Sequence, residues 1–124
     1  MMASRKEIAT SFLKMASSGK ARDAFSRYVH PRFAHHNPYF KGDGDSLLAG
    51  MEASALEFPK RVFEVVHVVE EGGLVVVHTR VNLKPGMPAF ALIHIFRLER
   101  DLIIEEWEAA QAVPVESPNE NGMF

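Results

Sequence analysis

The apolar positions in the first part of the chain recur at helical spacing and predict an amphipathic helix. The helix follows Ser4 and Glu7, whose spacing is that of a capping box, and it stops near Gly19. Its apolar face consists of Ile8, Phe12, Met15 and Ala16.

Two further helices are predicted before the middle of the chain. The second is short and covers 21–29, and residues 33–40 follow it as an extended piece. The third begins with Asp45 or Ser46 as its cap and is closed by Pro59.

After Pro59 the hydrophobic period changes from about 3.6 to 2, which indicates β-strands. Four long strands are predicted, over 61–70, 74–83, 89–99 and 102–112. Helices followed by a meandering antiparallel sheet indicate an α+β fold. A curved sheet wrapped around the helices forms a cone, with a cavity where the helices do not fill it.

The last two strands carry polar side chains among apolar ones. If Leu98 pairs with Ile103, then His94 lies opposite Trp107, and Gln111 shares their face. The apolar members of that face are Phe90, Leu92, Phe96 and Leu98. A few polar groups on an apolar sheet face indicate a small-molecule pocket.

The same register places Glu106 and Glu108 on the opposite face, together with Arg97. We interpret that outer face as a dimer surface or a solvated patch of ion pairs rather than a catalytic carboxylate pair.

Composition describes an ordinary globular chain. Of its 124 residues 47% are hydrophobic and 24% are charged, with a formal net charge of −2. Scattered basic residues argue against a nucleic-acid partner. The N-terminus lacks a signal-peptide pattern and no segment reaches membrane-spanning length, so we expect a cytoplasmic protein with no membrane partner. One domain is predicted over 1–112, and the polar tail over 113–124 is predicted to be mobile.

His94 is the first candidate for acid/base catalysis, because an imidazole exchanges protons near pH 7 and is costly in an apolar wall unless used or satisfied. The alternative is a histidine bonded to Trp107 or to a backbone carbonyl. His36 is a second candidate base, and Asn37 is a candidate to bind a substrate carbonyl. The alternative for this pair is a turn network around Pro38.

The direction of several polar side chains stays open in the sequence. His35 and His36 point to opposite sides of an extended segment, so one of them is expected to face inward. His78 and Arg80 lie on one side of their strand. If His78 opposes His94, both face the cavity and Arg80 could hold an anionic group; the other register exposes both.

We expect no metal and no other cofactor. The histidines show neither His-x-His spacing nor a helical His-x-x-x-His pair, and the chain has no cysteine.

Together, the order of elements and the residues resemble the SnoaL-like polyketide cyclases. These belong to the nuclear transport factor 2-like superfamily, which also contains the ketosteroid isomerases. The matching pieces are His36-Asn37-Pro38, Val75-Val76-Val77-His78, Ile95-Phe96-Arg97, and the run from Ile103 to Trp107 followed by Gln111. The resemblance implies a cone-shaped fold of three N-terminal helices on a curved antiparallel sheet. It also implies a cavity on the concave face, with His94 facing inward, and a homodimer.

The departures from these relatives limit the activity. The tyrosine, base and oxyanion aspartate of ketosteroid isomerases correspond to Phe12, Asn37 and His94, which argues against steroid isomerase activity. Gln111 stands where the cyclases commonly carry an acidic residue, and a glutamine cannot transfer protons at neutral pH.

Two functions follow. The first is a cofactor-independent cyclase or isomerase acting on a small, apolar, carbonyl-bearing molecule, with His94 or His36 as base. Asn37, Gln111 and the Trp107 N–H would stabilise the enolate. Phe12, Phe96 and Trp107 would form the pocket walls, and His78 and Arg80 would contribute to binding. The alternative is a non-catalytic ligand-binding or protein-interaction module on the same fold.

Overall fold

Three helices lie on the concave side of the sheet in the computed structural model, which describes residues 3–124. They are α1 (Arg5–Ser17), α2 (Ala21–Tyr28) and α3 (Gly44–Glu57). The Ser4 hydroxyl caps α1 as predicted, because it accepts the Glu7 N–H at 3.1 Å. Helix α3 begins earlier than predicted, since Asp43 is its cap and accepts the Ser46 N–H at 3.0 Å.

The sheet has five strands in the order β1-β5-β4-β3-β2. Their bounds are β1 (Val29–His35), β2 (Val62–Glu71), β3 (Leu74–Asn82), β4 (Phe90–Glu99) and β5 (Leu102–Ala112). The four strands from β2 to β5 form the predicted antiparallel meander.

The strand β1 corrects the prediction of a purely antiparallel sheet. It pairs in parallel with β5, with Val29 opposite Ile103 and His35 opposite Glu106, so the sheet is mixed. A parallel neighbour needs a long crossover, which α3 and the meander provide. The α+β cone with three helices on a curved sheet is otherwise as predicted.

One irregularity in the β4–β5 pair changes which side chains face the helices. Leu98 lies opposite Ile103 as expected, but Arg97 lies opposite Glu105, so the ladder skips Ile104. A bulge of one residue reverses the facing of every later side chain. His94 therefore lies opposite Glu108, and the predicted pairing of His94 with Trp107 is wrong.

The hydrophobic core fills the end of the cone near the β4–β5 hairpin. Phe12 of α1 is fully buried there and packs edge-on against Phe96 of β4, with ring centroids 5.8 Å apart. Further buried members from the sheet are Val75, Val77, Leu98 and Ile103. The helices cover this end closely and leave space toward the other end of the strands.

None of the helices in residues 3–124 has the length and apolar character that crossing a bilayer requires. The segment after β5 has no helix or strand, and its last residue, Phe124, stacks on His78 and lies under the Arg80 guanidinium. The mobility of the tail stays a prediction.

Candidate active site

A histidine and two glutamates meet on the concave face of the sheet, because the bulge at Ile104 turns both carboxylates inward. His94 Nε2 lies 3.0 Å from Glu108 Oε2 and 3.5 Å from Glu106 Oε1. The side chains of His94 and Glu106 are 5% and 1% exposed, whereas that of Glu108 is 19% exposed. Glu108 is thus the member of the group that a ligand can reach most easily.

The three groups shift one another's protonation. Burial lowers the pKa of His94, but its hydrogen bond with Glu108 and the charges of both glutamates outweigh burial and raise the pKa. Burial raises the pKa of Glu108, yet its bond with His94, the imidazolium charge and a hydrogen bond from Asn37 bring the pKa below its usual value. These directions favour the imidazolium form of His94 and the carboxylate form of Glu108.

Glu106 behaves differently because it lies in the core beneath this pair. Burial raises its pKa to about 7, with the Glu108 charge adding to the rise and His94 opposing it. Neither carboxylate oxygen of Glu106 has a hydrogen-bond partner among the described residues. The group therefore changes its protonation near neutral pH, directly behind the ion pair.

Asn37 contacts this group from the loop after β1 but does not line the cavity, and its predicted role in binding a substrate carbonyl stays a prediction. Its Nδ2 donates to Glu108 Oε1, and its Oδ1 accepts the Tyr39 N–H at 2.9 Å. His35 holds this loop: its Nδ1 accepts the Asn37 N–H, so its Nε2 carries the proton and donates to the Lys41 carbonyl at 2.7 Å. Asn37 thus orients the Glu108 carboxylate.

A cavity of about 460 Å³ opens beside this group, between α1, α3 and the sheet. Its walls are largely apolar, and among the described residues its polar lining consists of Ser17, Tyr39, Ser54, Arg61, His94 and Glu108. The apolar lining consists of Leu13, Ala16, Met51, Phe63, Val81, Leu83, Phe90, Leu92 and Ala110. An imidazole–carboxylate pair at the wall of an apolar cavity can move a proton on a bound molecule.

His36 does not line this cavity, so its predicted role as a base there lacks the geometry it needs. It is on the outer side of the sheet, where its ring stacks on Trp107 with centroids 5.1 Å apart. Its Nε2 contacts Glu105 Oε2 at 2.7 Å. The inward-facing member of the pair is His35, which is buried, because successive residues of an extended segment point to opposite sides.

The bulge also removes Trp107 and Gln111 from the inner face. Trp107 lies opposite Ile95 and Gln111 opposite Ala91, both on the outer side, and Gln111 is exposed. The predicted roles of the Trp107 N–H and Gln111 in binding an enolate therefore lack the geometry they need. The acidic groups of the cavity side are Glu106 and Glu108 instead.

The sequence left two registers open for the strand that carries His78 and Arg80. The observed register is the one in which both residues face outward. His94 lies opposite Val77, whereas His78 lies opposite Ile93 and stacks on His67 with centroids 5.2 Å apart. Neither residue lines the cavity, so the predicted contributions of His78 and Arg80 to binding are not supported by their placement.

The two phenylalanines predicted as pocket walls lie in the core. Phe12 and Phe96 are fully buried, and neither lines the cavity. Phe96 still acts on the site, since its ring stacks on the His94 imidazole with centroids 5.7 Å apart and fixes the plane of that ring.

The same three residues are also the group that could hold a metal ion. His94, Glu106 and Glu108 offer ligand atoms that all lie within 4.8 Å of one another. A protonated His94 cannot ligate a metal, so binding would need its proton to be released. The expectation of no metal was made from sequence spacing, which could not reveal this cluster, and it stays a prediction.

The fold and the site define a class of protein: an α+β cone of the nuclear transport factor 2-like type, with titratable groups at the wall of an apolar cavity. A family model for the SnoaL-like domain matches residues 9–106. The chain therefore belongs to the SnoaL-like domain family, which confirms the resemblance seen in its motifs.

Solved structures show the same fold at low sequence identity. A SnoaL-like protein from a Jannaschia species, provisionally assigned as a polyketide cyclase, is 18% identical, with a TM-score of 0.73 over 90% of this chain and 91% of that one. IdmH from Streptomyces antibioticus, with the same provisional assignment, is 15% identical, with a TM-score of 0.72 over 88% of this chain and 93% of that one. No functionally curated protein matches the chain.

Proposed function

We propose that the chain binds a small, largely apolar carbonyl compound and catalyses proton transfer on it without a cofactor. Isomerisation and intramolecular aldol closure are the reactions of this type that we consider. The observation that carries the proposal is the 3.0 Å contact between His94 Nε2 and Glu108 Oε2 at the wall of the apolar cavity. The provisional cyclase assignments of IdmH and of the Jannaschia protein support the same class of reaction.

With these protonation states, His94 and Glu108 have other roles than the sequence predicted, since His94 was the expected base. Glu108 is ionised and more exposed than His94, so its carboxylate is the base that removes a proton next to the substrate carbonyl. The His94 imidazolium holds Glu108 in its charged form and balances the negative charge that develops on the enolate. The proton taken by Glu108 returns to the product carbon or alkoxide, so the cycle needs no other reactant.

The test is hydrogen exchange at carbon, which does not require the natural substrate. The protein is incubated in D₂O with acetophenone and 2-acetylnaphthalene, and loss of the α-proton signal is followed by NMR. We expect exchange above the buffer rate for at least one ketone. Replacing a general base costs about 10²- to 10⁴-fold in rate, so Glu108→Gln should reduce the exchange by that amount.

Glu105→Gln is the matched control, because Glu105 lies on the same strand and faces outward toward Arg97 and His36. It should exchange at the wild-type rate. Exchange that is undiminished in Glu108→Gln, or absent for every ketone with the wild-type protein, would contradict the catalytic proposal.

A non-catalytic ligand-binding module is the second candidate. It is favoured by the observation that both Glu108 oxygens already accept hydrogen bonds, from Asn37 and from His94. Thermal stabilisation by these ketones with no exchange at carbon would select this function.

The homodimer and the cytoplasmic location belong to the proposal as well. The outer face of the sheet carries an apolar row formed by paired residues of four strands, Val69, Val76, Ile95 and Trp107. Val69 is 58% exposed and Ile93, in the neighbouring row, is 44% exposed. Such a face is suited to pairing with a second copy of the chain.

A further inference from the structure

Arg61 is a further polar group at the wall of the cavity and has no role in the proposed proton transfer. The residue directly precedes β2 and lines the cavity. Its Nη2 donates to the Ser54 hydroxyl of α3, while its Nε is buried without a hydrogen-bond partner among residues 3–124. Its Nη1 donates to no side chain or carbonyl in that part of the chain, so the guanidinium has spare donors.

This cation has no counter-ion in the described part of the chain. No carboxylate oxygen there lies within 4.0 Å of its nitrogens, whereas Arg22 and Arg97 each form an ion pair with a glutamate. Burial also lowers the pKa of Arg61, although a guanidinium stays charged. A half-buried charge in an apolar cavity is costly unless it is paired, which points to an anion supplied from outside.

The strand register places Arg61 and the His94–Glu108 pair on opposite sides of an apolar row. Phe63 lies opposite Val81, and Val81 lies opposite Phe90. Arg61 precedes Phe63 on one side of this row. His94 follows Phe90 by four residues on the other side, so the backbones at Arg61 and His94 are about six residues, or roughly 20 Å, apart along the strand direction. A molecule spanning the cavity would meet a cation at one end and the acid/base pair at the other.

We propose that Arg61 binds a carboxylate of the ligand, so that the ligand class is a small keto acid with an apolar body between its two polar groups. The carbonyl end of this assignment rests on the proposed function, whereas the carboxylate end rests on Arg61 alone. The guanidinium suits a carboxylate because it can donate two parallel N–H bonds to it. The Ser54 hydroxyl holds the guanidinium in place from α3.

The test compares each acid with its uncharged ester. Dissociation constants are measured by calorimetry for 6-acetyl-2-naphthoate and 4-acetylbenzoate and for the methyl ester of each. We expect the wild-type protein to bind the acid at least about tenfold more tightly than the ester in one pair or both. Arg61→Gln should abolish this preference by weakening the acid while leaving the ester unchanged.

Arg97→Gln is the matched control, since Arg97 is on the outer face and should leave the ratio of acid to ester affinity unchanged. If Arg61→Gln does not fold, Arg61→Lys replaces it, and we expect a reduced preference because an ammonium lacks the planar fork. No preference for the acid in either pair, including no binding at all, overturns the proposal, as does a ratio that Arg61 variants leave intact.

The two proposals fail separately. Glu108→Gln should lose exchange at carbon but keep the preference for the acid, because it leaves Arg61 in place. A wild-type protein that prefers the acid but shows no exchange at carbon with any ketone would support the carboxylate site and refute the catalytic role.

Discussion

At the scale of single residues, burial and pairing determine the chemistry more than residue type does. Glu105, Glu106 and Glu108 are the same type of residue and lie within four positions of one another. An exposed contact with His36 and Arg97 lowers the pKa of Glu105, while burial raises that of Glu106 to about 7. Sequence reasoning correctly singled out His94 as buried in an apolar wall. The predicted placement of Glu106 and Glu108 on the outer face is wrong, because it assumed an unbroken register and only the facing of a glutamate separates a core acid from a surface one.

Glu106 is expected to make the protein less stable as the pH rises. Its pKa is about 7 in the folded state and near 4.5 when unfolded, so from about pH 4.5 to 7 only the folded form retains the proton. The stability contributed by that proton is present below pH 4.5 and is lost as the pH rises through 7. Glu106→Gln should remove this loss, which amounts to about 3 kcal/mol at most.

Urea unfolding at pH 5 and pH 8 measures this effect. From pH 5 to pH 8, the free energy of unfolding should fall less in Glu106→Gln than in the wild type. In Glu105→Gln it should fall by as much as in the wild type. His94 contributes in the same direction, because its pKa is raised and its favourable protonation is also lost as the pH rises. An equal pH dependence in the wild type and Glu106→Gln would refute the buried titration.

At the scale of elements, the β4–β5 hairpin determines which side chains form the site. The alternation of hydrophobic residues predicted both strands and the Leu98–Ile103 pair. It could not reveal the bulge, because Ile103 and Ile104 are both apolar and satisfy either facing. The parallel position of β1 was equally hidden, since its partner lies about 70 residues away and neither strand's own pattern specifies it.

The turn of this hairpin contains a residue in a conformation that favours glycine. Arg100 has a φ of +57°, the only positive value among the described non-glycine residues. Glu99 pairs with Leu102 around the two-residue loop, and glycine is preferred at its first position when that φ is positive. Arg100→Gly should raise the free energy of unfolding by about 0.5 kcal/mol, because relief of strain exceeds the added entropy of the unfolded chain.

Asp101→Gly is the comparison, since the neighbouring position has no positive φ and glycine there only adds freedom to the unfolded chain. Denaturant unfolding should show the two variants changing stability in opposite directions. A loss of stability in Arg100→Gly would mean that the arginine side chain contributes contacts that outweigh its backbone strain.

At the scale of the whole molecule, the sheet separates two surfaces that carry different sets of side chains. The concave surface and the helices enclose the cavity, and the opposite surface carries the apolar row of Val69, Val76, Ile95 and Trp107. Both the cone and the family were predictable from the order of elements and motifs. The shape of the cavity was not, because it depends on how far α1 and α3 stand from the strands.

The outer surface should join two copies of the chain. We expect light scattering to give the mass of a dimer for the wild type and of a monomer for Ile93→Lys, because a charge there would be buried against the partner. Leu56→Lys is the control: Leu56 is 84% exposed but lies on α3, away from the sheet, so this variant should remain dimeric. A monomeric wild-type protein would contradict the dimer.

The extra residue at Ile104 has a consequence for comparing this chain with its relatives. Because one added residue exchanges the two faces of β5 beyond it, an insertion or deletion there converts surface acids into cavity acids without any substitution. A gapless alignment would therefore match Glu106 and Glu108 with positions that face the other way in a relative without the bulge. Within such a family, a change in the spacing of residues along a strand can alter the cavity while the residue types stay the same.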